Sequence, residues 1–174
     1  MGIFSQIIRQ KGRILGVFIL IFATVGTSKH DFSRMVKTID ELSKKVEEMV
    51  LIQIGHSKHI PQNAMYVKFL NPVDFEKTIK KARVVIISGG SSSLFKCVDN
   101  GKKPIIFPRL KKYGEHIDNH QVQLGKGVSK EGLAFVANNL EELEGCLKSK
   151  NFSIVYKKQR SPIYDEIKKF IENL

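Results

Sequence analysis

The chain alternates between short stretches that are almost entirely apolar and longer stretches in which apolar residues recur at helical spacing. The short stretches have the length and the β-branched content of buried strands. They are the run that ends in "FATVG", and then "VLIQIG", "YVKFL", "VVII", "PIIF" and "LAFV". Strands that are apolar on both faces and alternate with amphipathic helices are typical of a parallel sheet covered on both sides. The pattern therefore predicts an α/β fold.

The longer stretches predict helices, and several carry end signals. Asp31 is placed to cap the first helix, Asn71 precedes Pro72 at the first position of the second, and Gly101 closes the third. The predicted helices span residues 32–49, 72–82, 92–100, 116–127, 139–148 and 162–174.

Glycine turns follow three of the strands: "TVGTS", "QIGHS" and "SGGSSS". In an open parallel sheet ligands bind beyond the carboxyl ends of the strands, so we expect these turns to meet at one crevice. In the third turn, a glycine pair followed by serines at a helix start leaves N–H groups and hydroxyls free to bind an anion. A plain strand-to-helix loop with a serine cap is the alternative.

Composition narrows the choice of partner. With 29 Lys+Arg against 17 Asp+Glu, the net charge of +12 favours an anionic partner: nucleic acid, a nucleotide or an acidic membrane. The basic residues are scattered over helix faces and not interleaved with aromatic residues, so nucleic acid is not expected. Cys97 and Cys146 lack CxxC spacing, which predicts neither a disulfide nor a zinc site and favours a reducing compartment.

The first residues allow two interpretations. Arg9, Lys11 and Arg13 precede the apolar run "ILGVFILIFATVG", as in a signal peptide. The run is too short to span a bilayer and passes directly into a glycine turn and a helix, which favours a buried first strand. A signal or anchor within residues 1–25 stays as the alternative.

The predicted organisation is a basic extension (1–13), one domain (14–150), and a basic linker with an amphipathic helix (151–174).

Four stretches carry a resemblance to a known family: "FATVGTSKHDFSRMVKTIDEL", "LIQIGHS", "VVIISGGSSSLFKCVDNGKKPIIFPR" and "GEHIDNHQVQL". They resemble the donor-binding domain of glycosyltransferase family 28, in order and spacing over roughly residues 18–147. The chain is most similar to single-domain members, which act in dolichol-linked N-acetylglucosamine transfer and in exopolysaccharide synthesis. The resemblance implies a Rossmann-like domain, with helices on both faces of a parallel sheet, that forms one half of a B-type glycosyltransferase.

The resemblance also implies a function. The implied function is that of the catalytic, UDP-sugar-binding subunit of a two-component enzyme, with UDP-N-acetylglucosamine as the expected donor. The acceptor would be a polyprenyl- or dolichyl-diphosphate-linked sugar, presented by a membrane-bound partner subunit at the cytosolic face. The implied transfer is inverting and needs neither a bound metal nor a cofactor, because backbone N–H groups at a helix start can stabilise the departing diphosphate.

Site residues follow from the same resemblance. Gly26 and Thr27 approach the diphosphate and the acceptor, and His30 is a candidate general base. The uracil is flanked by Gly55, Phe69 and Leu70. The diphosphate is held by Gly89, Gly90, Ser91, Ser92 and Ser93. The donor sugar is contacted by Asp118, Asn119, His120 and Gln121. His56 and His59 are expected to be solvated loop residues.

Two positions depart from the family pattern. Relatives carry histidine where this chain has Ser88, and a glutamate that binds the ribose hydroxyls where it has Lys96. An ammonium only donates, so Lys96 cannot accept the two hydroxyl protons. The ribose is therefore held differently, or donor affinity is reduced, or catalysis is lost. A catalytically weak, nucleotide-binding or regulatory subunit is the alternative function.

Overall fold

A parallel sheet forms the centre of the protein. The computed structural model describes residues 20–149 and 151–152, and within them six strands pair in the order β3-β2-β1-β4-β5-β6, all parallel. The strands are β1 (Leu20–Thr24), β2 (Met49–Gln53), β3 (Met65–Val67), β4 (Val84–Ile87), β5 (Ile105–Ile106) and β6 (Phe135–Val136). The predicted α/β fold with a Rossmann-like parallel sheet is confirmed.

Helices cover both faces of the sheet. They are α1 (Ser33–Leu42), α2 (Pro72–Lys81), α3 (Ser91–Asp99), α4 (His120–Lys130) and α5 (Leu140–Leu147), with a 3₁₀ turn at Lys111–Tyr113. Alternate residues of β1 face opposite sides: Ile21 and Ala23 lie in the core under α1 and α5, whereas Leu20 and Phe22 lie in the core under α2, α3 and α4. Two apolar cores therefore sandwich the sheet, as strands apolar on both faces require.

The first helix is shorter than predicted. It ends at Leu42, because the chain folds into successive turns in which Lys44 N donates to Glu41 O and Lys45 N to Leu42 O. Met49, expected at its end, instead opens β2. The apolar spacing runs on past the helix because Val46 packs against the same core from a non-helical segment.

The prediction that Asp31 caps α1 was wrong. The N-cap residue is Phe32, and no side chain makes a capping hydrogen bond at this end. The Asp31 carboxylate instead accepts from Ser33 N at 3.2 Å and from Lys58 N at 2.9 Å, which joins the start of α1 to the loop after β2. The other end signals are confirmed: Asn71 Oδ1 accepts from Asp74 N at 2.9 Å, and Gly101 has a φ of 66° just beyond α3.

The first strand lies in the middle of the sheet. β1 pairs with β2 on one side and with β4 on the other, and all five of its residues are buried. The strand interpretation of the N-terminal apolar run thus holds for residues 20–24, while residues 1–19 and the predicted C-terminal helix (162–174) lie outside the described residues. In the described part of the chain, no helix has the length and apolar character needed to cross a membrane. Cys97 and Cys146 are both free thiols.

Asp40 anchors the loop before β3. It is 4% exposed and accepts hydrogen bonds from the backbone N–H groups of Gln62, Asn63 and Ala64 at 2.8–3.0 Å. Burial raises the pKa of Asp40, but these hydrogen bonds outweigh it and leave the pKa below its usual 3.8. The ionised carboxylate therefore stabilises the fold above pH 3.8, and this contribution is lost as the pH falls further.

Asp40→Asn should lower the free energy of unfolding by about 2 kcal/mol at neutral pH, because an amide offers one accepting oxygen where the carboxylate offers two. Chemical denaturation at several pH values measures this, and the difference from wild type should shrink below pH 3.8. Asp99→Asn, at an exposed position of α3, is the control and should be close to neutral. Equal effects of the two substitutions would show that the loop does not depend on Asp40.

Candidate functional site

A cavity of about 310 Å³ lies at the carboxyl ends of β1, β2 and β4. The turn after β1 lines it with Val25, Gly26, Thr27 and Ser28, and the turn after β4 lines it with Ser88, Gly90, Ser92 and Ser93. The two turns touch, since a Cβ at Gly26 would lie 3.5 Å from Ser88 Oγ. Two of the three glycine turns singled out in the sequence therefore form the walls of one crevice.

The third turn, which contains Gly55, packs against the turn after β1. Gly55 has a φ of 53°, and a Cβ at this position would lie 2.8 Å from the Gly26 carbonyl oxygen. Only glycine allows this close approach of two backbone segments. Gly55 is thus a packing residue behind the turn after β1, and it does not line the cavity.

The start of α3 presents its backbone to the cavity. Gly90 is the N-cap, no side chain caps this end, and a Cβ at Gly90 would have no atom within 4 Å. Ser92 and Ser93, in the first turn, line the same space. The N-terminal N–H groups of a helix that lack side-chain partners favour a negatively charged ligand.

The opposite wall of the cavity is apolar and aromatic. It contains Phe69, Leu70 and Phe75, and Phe69 is 45% exposed with its ring 5.1 Å from that of His56. Lys96 also lines the cavity, with Nζ 4.9 Å from the centre of the Phe75 ring. The cavity therefore combines an uncapped helix start, which is suited to an anion, with a cation and an apolar surface.

Gln53, which sequence reasoning missed, connects three segments of the site. It is 3% exposed; its Nε2 donates to Thr24 Oγ1 at 3.0 Å, and its Oε1 accepts from Leu70 N at 3.0 Å. Thr24 Oγ1 also accepts from Gly26 N at 3.1 Å. The one polar residue in the otherwise apolar "VLIQIG" was the available signal, because a buried amide in a strand needs partners.

Arg109 was also missed, although it lines the cavity and is only 1% exposed. Its guanidinium donates to the carbonyl oxygens of Val25, His30, Asp31 and Glu115 at 3.0–3.3 Å. Burial lowers the pKa of Arg109 to about 10, so the group stays charged at neutral pH. This one side chain holds the turn after β1 against the segment that follows β5.

A buried carboxylate completes this arrangement. Glu115 receives Nε and Nη2 of Arg34 at 2.8 Å each, and its Oε2 also accepts from Leu110 N at 2.9 Å. Arg34 lies on α1 and donates further to the Pro108 carbonyl at 2.7 Å. The segment between β5 and α4 is therefore tied to α1 by charged hydrogen bonds, which are the stronger kind.

Three histidines lie at the rim. The carboxylate of Asp118 is 3.1 Å from His116 Nδ1 and 2.5 Å from His120 Nδ1, and the His30 ring is centred 6.1 Å from that of His116. Burial lowers the pKa of His116, and the neighbouring His120 lowers it further. The backbone hydrogen bond from His120 lowers the pKa of Asp118.

The predicted site residues fall into two groups. Those that line the cavity are Gly26, Thr27, Phe69, Leu70, Gly90, Ser92, Ser93, Lys96 and Gln121. Those that lie beside it are His30, Gly55, Gly89, Ser91, Asp118, Asn119 and His120. Gly89 packs on α4, where its Cβ would lie 3.3 Å from that of Gln121. Gln121 Oε1 accepts a hydrogen bond from Arg109 N at 3.2 Å. Helix α4 begins at His120, later than the predicted start at residue 116.

A ligand crevice at the carboxyl edge of a parallel, doubly covered sheet defines the class of Rossmann-like binding domains. The family model that matches is the glycosyltransferase family 28 C-terminal domain, over residues 20–173, and the chain belongs to this family. No curated protein matches the chain in sequence.

Solved structures share the fold. The kitacinnamycin glycotransferase has a TM-score of 0.58 at 13% identity, with 93% of this chain and 40% of that chain covered. The calicheamicin glycosyltransferase CalG4 has a TM-score of 0.59 at 10% identity, covering 91% and 38%. The UDP-GlcNAc 2-epimerase from Neisseria meningitidis, solved bound to UDP-GlcNAc, has a TM-score of 0.52 at 11% identity, covering 83% and 39%. The chain thus spans less than half the length of these proteins.

Arg109→Met should lower the free energy of unfolding by about 3 kcal/mol, because four carbonyl groups, of which those of Val25 and Glu115 are buried, lose their donor. Arg109→Lys should recover only part of this, since an ammonium lacks the planar fork. Chemical denaturation measures both. Lys44→Met, which breaks the exposed pair with Glu41, is the control and should change stability by less than about 1 kcal/mol. If Arg109→Lys were as stable as the wild type, the positive charge alone, and not the planar guanidinium, would account for the effect of Arg109.

Proposed function

We propose that this chain is the UDP-sugar-binding part of a glycosyltransferase that transfers the sugar to a lipid-diphosphate-linked acceptor. The observation that carries the proposal is the cavity, which joins the uncapped start of α3 to an aromatic wall. Membership of glycosyltransferase family 28 supports it.

The two ends of the cavity suit the two ends of a nucleoside diphosphate. The diphosphate would bind at Gly90, Ser92 and Ser93, where backbone N–H groups and the helix dipole favour negative charge. The base would lie on the apolar wall that Phe69 and Leu70 form, because a flat ring packs well on such a surface. UDP-N-acetylglucosamine is the proposed donor because the family resemblance implies it, and one protein that shares the fold was solved bound to UDP-GlcNAc.

The transfer itself is proposed to be inverting, with neither a metal nor a further cofactor needed for the departure of UDP. Donors at the start of α3 would stabilise the charge that develops on the leaving diphosphate. His30 is the proposed general base: it is exposed at the rim, and its Nδ1 lies 3.2 Å from Ser28 Oγ in the cavity wall.

The acceptor half is proposed to come from a membrane-bound partner subunit, with this chain at the cytosolic face. The resemblance to single-domain members of the family supports this proposal, and the chain matches 40% of the kitacinnamycin enzyme and 38% of CalG4. B-type glycosyltransferases place the acceptor in a second domain. The net charge of +12 suits binding near an anionic membrane surface.

The double substitution Ser92→Asp and Ser93→Asp should abolish UDP binding, measured by isothermal titration calorimetry, because it places negative charge where the diphosphate would lie. Aspartate in the first turn favours a helix, so α3 should persist. Lys126→Glu is the matched control: it changes the net charge by the same amount at an exposed position of α4 and should leave binding intact. If the double variant binds UDP as wild type does, the diphosphate does not bind at this turn.

A second candidate function, a catalytically weak nucleotide-binding subunit, is favoured by Lys96, which lines the cavity where the resemblance places a ribose-binding glutamate. Lys96→Glu should then strengthen UDP binding by about 1 to 3 kcal/mol, because a carboxylate can accept from both ribose hydroxyls. Titration calorimetry measures this, with Lys96→Met as a control that removes the charge without adding an acceptor. Weaker binding by both variants would indicate that Lys96 contacts a phosphate.

A further inference from the structure

The segment between the 3₁₀ turn and α4 brings three possible metal ligands together. His116, Asp118 and His120 alternate along the chain, and one ligand atom from each lies within 4.8 Å of the other two. The Asp118 Oδ1 atom lies between the imidazoles, 3.1 Å from His116 Nδ1 and 2.5 Å from His120 Nδ1. Two histidine nitrogens therefore already lie beside the same carboxylate oxygen.

The backbone on either side of the cluster is held by contacts that do not involve the cluster. On one side, Glu115 is 5% exposed and its carbonyl accepts from Arg109 Nη1 at 3.1 Å. Within the segment, Asn119 Oδ1 accepts from Lys111 N at 3.2 Å, and just after it Gln121 Oε1 accepts from Arg109 N at 3.2 Å. These contacts fix the chain on which the three side chains are carried, and none of them uses an atom of His116, Asp118 or His120.

The cluster is also open on the side away from the protein. The side chains of Asp118 and His120 are 50% and 42% exposed, whereas that of His116 is 17% exposed. An ion can reach the site from solvent, and water can fill the coordination positions that the protein leaves open. Three protein ligands with an open position are typical of reactive zinc sites rather than of closed structural ones.

We propose that His116, Asp118 and His120 form a binding site for one borderline divalent cation, with Zn²⁺ as the preferred ion. Two imidazoles and one carboxylate suit Zn²⁺, Co²⁺ or Ni²⁺, whereas Mg²⁺ and Ca²⁺ prefer oxygen ligands. The ion would replace the hydrogen bonds at Asp118 Oδ1, with each imidazole bound through Nδ1 and its proton on Nε2. The alternative is a cluster held by those hydrogen bonds alone, in which Asp118 also accepts from His120 N at 3.0 Å.

This inference goes beyond the proposed function and does not depend on it. The proposed diphosphate site uses the start of α3, whereas the cation site uses the loop before α4, in which the resemblance assigns Asp118 and His120 to the donor sugar. The two sites are neighbours, since His120 precedes Gln121 of the cavity wall. An occupied cation site would hold the 116–120 segment in place at the rim of the crevice.

The test uses the full chain without a histidine tag, stripped with EDTA and dialysed. Titration with Co²⁺, followed by its visible absorption, should give one ion per chain with a tetrahedral or five-coordinate spectrum, and Zn²⁺ should displace it. His116→Ala, His120→Ala and Asp118→Asn should each weaken binding more than about tenfold. Asp118→Asn is the sharpest variant, because the amide retains hydrogen-bonding capacity but is a poor ligand for Zn²⁺.

His59→Ala removes a histidine outside the cluster and should bind Co²⁺ as wild type does. Absence of Co²⁺ binding, or equal binding by wild type and the three cluster variants, would overturn the proposal. A parallel UDP titration of the metal-free protein tests the proposed function separately, because the diphosphate site is expected to work without the ion.

Discussion

The geometry of the site depends on one buried cation, Arg109. It follows β5, yet its guanidinium reaches four carbonyl oxygens, of which three belong to the turn after β1. Backbone carbonyls in a turn have no strand partner, so a single planar donor that satisfies several of them determines the path of the turn. Because Gly26 and Thr27 lie on this turn, one side of the crevice is set by a residue that follows a different strand.

The same region contains an ion pair between Arg34 and the buried side chain of Glu115. Arg34 and Glu115 form a two-pronged pair, and the Arg34 guanidinium lies 4.6 Å from the centre of the Phe107 ring. A buried pair of this kind stabilises a fold only if its remaining donors and acceptors are satisfied. Here they are met by backbone groups of Pro108 and Leu110, so the ion pair also shapes the segment that leads to the rim.

The sequence predicted the elements that local rules determine. β4 was placed at its observed residues, and the Asn71 cap and the Gly101 end of α3 were correct, because periodicity and capping act over a few residues. The predicted end of α1 was wrong because Val46 continues the apolar spacing beyond the last helical residue, Leu42. Gln53 and Arg109 were missed because their partners, such as Thr24 and Val25, are distant in the chain and leave no local pattern.

The central position of β1 has a consequence for how the chain is made. This strand precedes every other described strand in sequence, yet its partners on both edges, β2 and β4, are synthesised after it. Until Val84–Ile87 has emerged from the ribosome, one edge of this fully buried strand has no native partner. Unpaired apolar edges are the surfaces on which nascent chains associate wrongly and which chaperones shield. The architecture that places the turn after β1 in the wall of the crevice therefore also leaves a buried strand with an unpaired edge while the first half of the domain is synthesised.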